Sequence, residues 1–333
     1  MSVYFRPIIQ SDLKIPAGAV PLLGGPLWFD HVEPLERGAS HALMPVRDLP
    51  PALLDSLTHP RVLPNLPKDR CALMGVLNVT PDSFSDGGKF HDADAAVAHA
   101  KAMVEAGADI LDIGGESTRP GAALVSEVEE VARTAPVITA IRAAGIEVPI
   151  SIDTRKAVVA EAALSAGATM LNDVSAMTFD EAMAGVAERS GAPICLMHAQ
   201  GDPATMQQDP HYDDVLLDVY EHLAERIAAA EAAGINKTHV IVDPGIGFGK
   251  TQAHNLALIR GLSLFHMLGC PILLGVSRKR FIGNICGVER AEDRALGSVA
   301  AAIEGVRQGV QIIRAHDIEA HRQAFTLWRA IKT

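Results

Sequence analysis

The sequence predicts a (β/α)8 barrel carrying a Pro-rich N-terminal extension, and three observations support it. From Cys71 onward, a short β-branched or Leu-rich run alternates with an Ala-rich stretch at helical spacing, and the cycle repeats eight times in about 260 residues. The runs are near-continuous in apolar residues, as strands become when helices cover both faces of a parallel sheet. Each run also delivers a polar or ionisable residue to its C-terminal end, the face where such barrels build their sites. A doubly wound sheet shares the alternation. The count of eight and the common polar rim favour the closed barrel of TIM type.

Residues 1–70 hold 11 of the 20 prolines and balance 7 basic against 7 acidic residues. Proline at that density blocks helix interiors and central strands. Only short extended pieces, at 3–9 and 27–32, are expected there, in an appendage or small subdomain without visible chemistry. The barrel is assigned to 71–333. Its strands are expected at 72–78, 109–114, 148–153, 170–174, 193–197, 239–243, 271–276 and 310–315. The helices between them are expected at 93–106, 125–144, 156–166, 180–190, 214–233, 253–268, 292–308 and 318–331. Gly107, Gly145, Gly167, Gly191, Gly234, Gly269 and Gly309 each stand just past a helix, where a left-handed residue closes the last turn.

Composition narrows the function classes. The chain is 48% apolar and 21% charged, which is globular, and no apolar run approaches the ~18 residues of a spanning helix. The N-terminus, with Arg6, Asp12 and Lys14 around short apolar stretches, is a poor signal peptide. A cytoplasmic enzyme with no membrane partner is the expectation. The net charge of −11 and the lack of any basic run argue against nucleic acid, while leaving room for a small anion held by a few convergent cations. Cys71, Cys195, Cys270 and Cys286 form no C-x-x-C pair and are read as buried reduced thiols.

Strand by strand, the rim receives Asn78 from the first run, Glu116, Thr118 and Arg119 from the second, and Asp153 from the third. Asn172 and Asp173 close the fourth, His198 the fifth and Asp243 the sixth. Ser277, Arg278 and Lys279 close the seventh, and Arg314 and His316 the eighth. Two chemistries are visible. If the barrel closes in order, Arg119, Arg314 and His316 converge with Asn78 on one phosphate-like group, which arginine forks suit. Asp153, Asn172 and Asp243, with Lys279 nearby, form a deeper set suited to a planar heterocycle with adjacent N–H donors.

Each residue has a plainer reading. Asp153 and Asp243 would cap the helices that follow, Arg119 would pair with Glu116, and Lys279 and Arg280 would be solvated at a helix start. His198 is read as a packed histidine. Taken jointly, the plain readings need too many coincidences on one rim, because buried charge is costly unless paired. PGIGFGKT (244–251) is not a phosphate loop, since Pro244 stands where G-x-x-x-x-G-K-[ST] needs glycine. It is read as a tight loop that lets Phe248 cover a ligand.

The segments GVLNVTPDSFSDGG (75–88), DIGGESTRPGA (112–122), ISIDTRK (150–156), LNDVSA (171–176), LMHAQGDPATMQ (196–207), VDPGIGFGKT (242–251), GVSRKRFIG (275–283) and IIRAHD (312–317) closely resemble the dihydropteroate synthase family. The resemblance runs in order over 71–333. It implies a (β/α)8 barrel, commonly a homodimer, that joins 6-hydroxymethyl-7,8-dihydropterin diphosphate to 4-aminobenzoate, using Mg2+ with the diphosphate. It implies that Asp153, Asn172, Asp243, Lys279, Phe248 and Met197 hold the pterin. It places the diphosphate on Asn78, Thr118, Arg119, Arg314 and His316, with Asn78 near Mg2+. It gives 4-aminobenzoate to Phe84, Thr118, Pro120 and Ser277, with Asp82 close by, and makes Arg119, Lys279, Arg314 and His316 the catalytic cations. An SN1-like loss of pyrophosphate is implied, and the loops after strands 1 and 2, with Gly87, Gly88 and Gly121, are expected to close over the cation. Phe84, Ser277 and Pro120 are the positions to inspect for sulfonamide sensitivity.

Ala199 stands where the family usually has Met, and Arg280 where Ser is common. Two other functions compete. A methyltetrahydrofolate methyltransferase would share the pterin set but needs no diphosphate cations, and a non-catalytic homologue would bind a pterin or a partner protein. Arg119, Lys279, Arg314 and His316 argue against the first, and the intact loops after strands 1 and 2 against the second.

Overall fold

A computed structural model describes residues 3–61, 63, 65–79, 89–117, 124–201 and 205–332, with backbone alone for 89–92. Eight parallel strands form one sheet: β1 (Ala72–Asn78), β2 (Ile110–Gly114), β3 (Ile150–Asp153), β4 (Met170–Asp173), β5 (Ile194–Met197), β6 (Val240–Asp243), β7 (Leu273–Gly275) and β8 (Ile312–Ala315). Their hydrogen-bonded order is β6-β5-β4-β3-β2-β1-β8-β7. A parallel bridge between Val242 and Ile272, with Val242 N donating to Pro271 O at 2.9 Å, joins β6 to β7 and closes the barrel.

The helices are α1 (Lys89–Glu105), α2 (Glu127–Ala143), α3 (Ala157–Ala166), α4 (Met183–Ser190), α5 (Val215–Ala232), α6 (Gln252–Arg260), α7 (Ala295–Arg307) and α8 (Ile318–Lys332). All seven glycines expected to close helices have positive φ. The expected helix 253–268 instead breaks at Gly261 into α6 and a 3-10 turn, Leu262–Leu268. A Cβ at Gly261 would lie 2.6 Å from Leu216 Cδ2, so the chain bends where α5 approaches it. A short helix, Arg280–Cys286, follows β7, outside the eight expected helices but at the helix start considered for Lys279 and Arg280. No described helix is long and apolar enough to cross a membrane.

Alternation along the strands sorts the barrel interior into two layers. Met74, Ile110, Met170, Cys195, Ile241, Leu273 and Ile312 form one buried apolar cluster, with Leu63 and Leu66 of the linker packed against it. Two residues further along, the same inward face carries Asp112 on β2, Asn172 on β4, Asp243 on β6 and Arg314 on β8. Asp153 joins them, because β3 pairs Asp153 with both Asn172 and Gly114. The fold therefore sets an apolar floor beneath a charged upper layer. A larger apolar shell, including Leu73, Leu111, Ile152, Leu171 and Val242, packs between the sheet and the helices.

The N-terminal segment is more structured than its proline content suggests. Tyr4–Pro7 pairs antiparallel with His31–Glu36, which also pairs with Ala39–Ser40 and Met44–Pro45. A helix, Pro51–Thr58, forms where only extended pieces were expected, because its proline occupies the first turn, where no N–H is needed. Leu22, Phe29, Val32, Val46, Leu49 and Leu57 give this segment its own small core. Ser263 Oγ donates to Pro7 O at 2.9 Å, and Arg37 pairs with Asp218 and Glu221 of α5 at 2.6 Å, fastening the segment to the barrel. Cys195 and Cys270 are buried as expected, whereas Cys71 is half-buried and Cys286 exposed.

Candidate active site

The upper layer is tied together by one arginine. Arg314 Nε donates to Asp112 Oδ2 at 2.6 Å, and Nη2 donates to Asp153 Oδ2 at 2.7 Å. Asn172 Nδ2 donates to both oxygens of Asp112, to Oδ2 at 3.3 Å and Oδ1 at 3.4 Å. Arg314, assigned to a phosphate group, thus also neutralises carboxylates beside the heterocycle set. Asp112 had been read only as part of a strand, and it is fully buried.

Asp153 retains a buried Oδ1 with no partner among the described residues. Burial pushes its carboxyl up to about 7, with Arg314 pulling down and the charge of Asp112 pushing up. Neither Asp153 nor Asp243 caps a helix. Asp243 Oδ1 accepts from Gly245 N at 2.7 Å, and burial raises its carboxyl above the ordinary range, opposed by the Gly245 bond and then by Lys279 and Lys250. Gly245 has φ of +67°, and a Cβ there would lie 1.8 Å from His198 O, so this turn requires glycine.

Lys279 is half-buried, with Nζ 4.2 Å from the centroid of the Phe248 ring, a cation–π contact. Phe248 therefore supports Lys279, beside its expected role of covering a ligand. Arg280, next in the chain, is exposed. Ser277 Oγ lies 2.9 Å from His316 Nδ1 and accepts from His316 N at 3.1 Å, so Ser277 orients the histidine. Arg278 pairs with Asp317, its Nε donating to Oδ2 at 3.0 Å. Met197 is buried at the end of β5, beside Gly245.

Asn78 stands half-buried at the end of β1. Its Oδ1 and Asp153 Oδ2 each lie 3.8 Å from the point where Gly114 would carry a Cβ, so the amide opens onto the same space as the upper layer. Phe84, Thr118, Arg119 and Pro120, with Asp82 and the three loop glycines, lie outside the described residues.

Three more rim residues have structural partners. Glu116 binds Arg155 at 3.0 Å and Lys156 at 2.6 Å, and accepts from Val125 N at 2.9 Å. Asp173 points away from the interior and accepts from Ser175 N at 2.8 Å and Met177 N at 2.7 Å, holding its own loop. His198 is the packed histidine expected. Its Nδ1 lies 2.8 Å from Lys250 Nζ, and burial drives its ring down to about 2, so it stays neutral. Lys250 also donates to Phe248 O at 3.0 Å, and Thr251 caps α6, accepting from His254 N at 3.2 Å. The GKT of 249–251 thus fastens a loop and starts a helix.

The family model described as pterin binding enzyme matches residues 74–316. The dihydropteroate synthase of Neisseria meningitidis serogroup B is 48% identical over 268 residues, covering 79% of this chain and 93% of that one. Among solved structures, Xanthomonas albilineans dihydropteroate synthase with 4-aminobenzoic acid is 46% identical with a TM-score of 0.75, covering 80% of this chain and 94% of that one. The same enzyme in complex with 7,8-dihydropteroate gives 43% identity and a TM-score of 0.73, covering 82% and 97%.

Proposed function

Because this chain belongs to the pterin-binding enzyme family, we propose that it is a dihydropteroate synthase, joining 6-hydroxymethyl-7,8-dihydropterin diphosphate to 4-aminobenzoate to give 7,8-dihydropteroate and pyrophosphate. The observation that carries the reading is the pair of buried carboxylates, Asp153, whose Oδ1 has no partner among the described residues, and Asp243, set beside the cations Arg314 and Lys279. A pterin presents adjacent N–H donors on one edge, and buried carboxylates accept them through short charge-assisted bonds. Asn172 and Met197 complete the walls, and Phe248 with Lys279 closes over the ring.

The bond that breaks joins the pterin methylene carbon to the diphosphate oxygen, and the electron pair leaves with pyrophosphate. Ionisation ahead of attack suits this carbon, because the electron-rich dihydropterin stabilises the cation. Arg119, Lys279, Arg314 and His316 serve the departing anion, with Asn78 and Thr118 beside them. Phe84, Thr118, Pro120 and Ser277 hold 4-aminobenzoate, whose neutral nitrogen forms the new C–N bond and then sheds a proton. An arylamine needs no strong base, and positioning supplies much of the rate.

The Asn78 amide oxygen is a hard donor that suits Mg2+, an ion usually held by one or two protein groups together with substrate phosphates. Bound there, Mg2+ would add positive charge against the diphosphate. The protein is assigned to the cytoplasm as a homodimer. Leu296 on α7, 85% exposed, and Leu327 and Ile331 on one face of α8, 64% and 65% exposed, support the pairing of copies.

Pyrophosphate release from the dihydropterin diphosphate tests the reading, measured with and without 4-aminobenzoate, in Mg2+ and then in EDTA. Release that needs Mg2+, with dihydropteroate appearing only when 4-aminobenzoate is present, is the expected result. Pterin binding without turnover would overturn it.

A further inference from the structure

A cavity of about 620 Å3 lies at the opposite end of the barrel from the site. It opens beside Cys71 and Ala72, where β1 begins, and beside Val310 and Gln311, just ahead of β8. One wall is the N-terminal turn around Leu27, a second the linker around Leu66, and a third is α8 with Phe325 and Trp328. The family model spans residues 74–316, so all three walls, around Leu27, around Leu66 and on α8, belong to sequence outside the family match. The volume falls within the range of about 300–1,000 Å3 usual for small-molecule sites, and the body of the lining is apolar.

The polar part of the lining is cationic in a chain whose net charge is −11. Arg70 and Arg322 share the carboxylate of Asp109, at 2.6–2.8 Å, and Arg329 pairs with Asp69 at 3.0 Å. Arg61 differs from these. Its guanidinium donates to Cys270 O at 2.8 Å, to Ser56 O at 2.9 Å and to His266 O, all neutral acceptors. Among the described residues, no Asp or Glu pairs with it. Burial accordingly presses it down to about 10, and His266, its neutral neighbour, is pressed to about 3. A half-buried guanidinium held by carbonyl oxygens, with no carboxylate among the described residues to neutralise it, keeps a charge that an anion entering the cavity would meet.

We propose that this cavity is a second binding site, for an apolar organic molecule carrying one anionic group whose charge is set against Arg61. The site is independent of the synthase reaction and of its substrates. Its ligand needs rings or a chain to fill the space between Leu66 and Trp328, and a single carboxylate- or sulfonate-like group.

The test uses the full chain and two fluorescent probes of the same ring system. 1-Anilinonaphthalene-8-sulfonate carries the anionic group, and N-phenyl-1-naphthylamine lacks it. The sulfonate probe is expected to saturate a single site and to bind at least tenfold more tightly than the neutral one. Thr326, exposed on α8 and lining the cavity, offers a filling variant: Thr326→Phe should weaken the sulfonate probe at least tenfold while leaving the circular dichroism and turnover unchanged. Arg61→Met should erase the difference between the probes. If that variant fails to fold, the probe pair on the wild type and on Thr326→Phe still decides the matter. Three results would each overturn the proposal: equal affinity for the two probes, binding indifferent to Thr326→Phe, or displacement of the probe by 4-aminobenzoate with pyrophosphate.

Discussion

The floor and the upper layer of the barrel interior come from the same strands, two residues apart, and differ in what their side chains must do. Ile241 and Asp243 illustrate this on β6: both face inward, and both are nearly or wholly buried. Ile241 needs nothing but neighbours of the right shape. Asp243 and Asp153 retain carboxylates that burial disfavours, and Asp153 keeps an oxygen without a donor among the described residues. The backbone position is therefore common to both layers, while the choice of residue assigns one to stability and the other to a ligand.

Arg314→Met should break the comparison most severely, because Arg314 serves both purposes. Its loss leaves Asp112 and Asp153 buried against each other, at a cost of about 3–5 kcal/mol in urea unfolding. Synthase turnover should fall with it by a factor on the order of 10²–10³. Adding Asp112→Asn to Arg314→Met should recover part of the stability and none of the turnover. Ile241→Ala should cost about 2–5 kcal/mol through the cavity it leaves, with kcat and KM close to wild type wherever the protein stays folded. Asp243→Asn should do the reverse, lowering kcat/KM roughly 10²-fold, as when one preorganised partner of a reacting group is removed, with little change in the unfolding midpoint.

The pH dependence sharpens the same contrast. A folded-state pKa raised to about 7 means that Asp153 takes up a proton as pH falls through that value, while the free residue would not until near 4. The protonated form cannot pair with Arg314 or accept a pterin N–H at both oxygens. Log kcat/KM, which reports the free enzyme, should therefore bend downward below about pH 7. Lys250 is pressed by burial to the same region, about 7. A bend that survives in Asp153→Asn would assign it to Lys250 instead. The smallest expected effect is at Phe248→Leu, which removes the ring under Lys279 and should raise KM for the pterin diphosphate a few-fold, the about 0.5–1 kcal/mol of an accessible cation–π contact.

Much of the fold was legible because periodicity and glycine act locally. A repeated apolar run and a glycine closing each helix need no long-range information, and the strands fell within three residues of their expected ends. The helix Pro51–Thr58 was obscured by the same prolines that begin it. At the site, Asp153, Asn172, Asp243 and Arg314 were found because strand ends are conspicuous. Asp112 was not, since one carboxylate inside ILDIG reads as a strand until register shows it facing Arg314. Asp173 is the converse. It stands at a strand end, yet being one residue past Asn172 it faces the other way and holds a loop. Sequence position names candidates, whereas the two-residue period decides which of them meet.

The account's central claim is that, Arg314 apart, the upper layer serves the reaction and the floor the stability. The most direct test measures, for Asp243→Asn and Ile241→Ala side by side, the rate of dihydropteroate formation and the urea unfolding midpoint. The account predicts a crossed pattern, with Asp243→Asn stable and nearly inactive and Ile241→Ala unstable and active. An Asp243→Asn variant that keeps its turnover, or loses as much stability as Ile241→Ala, would contradict it.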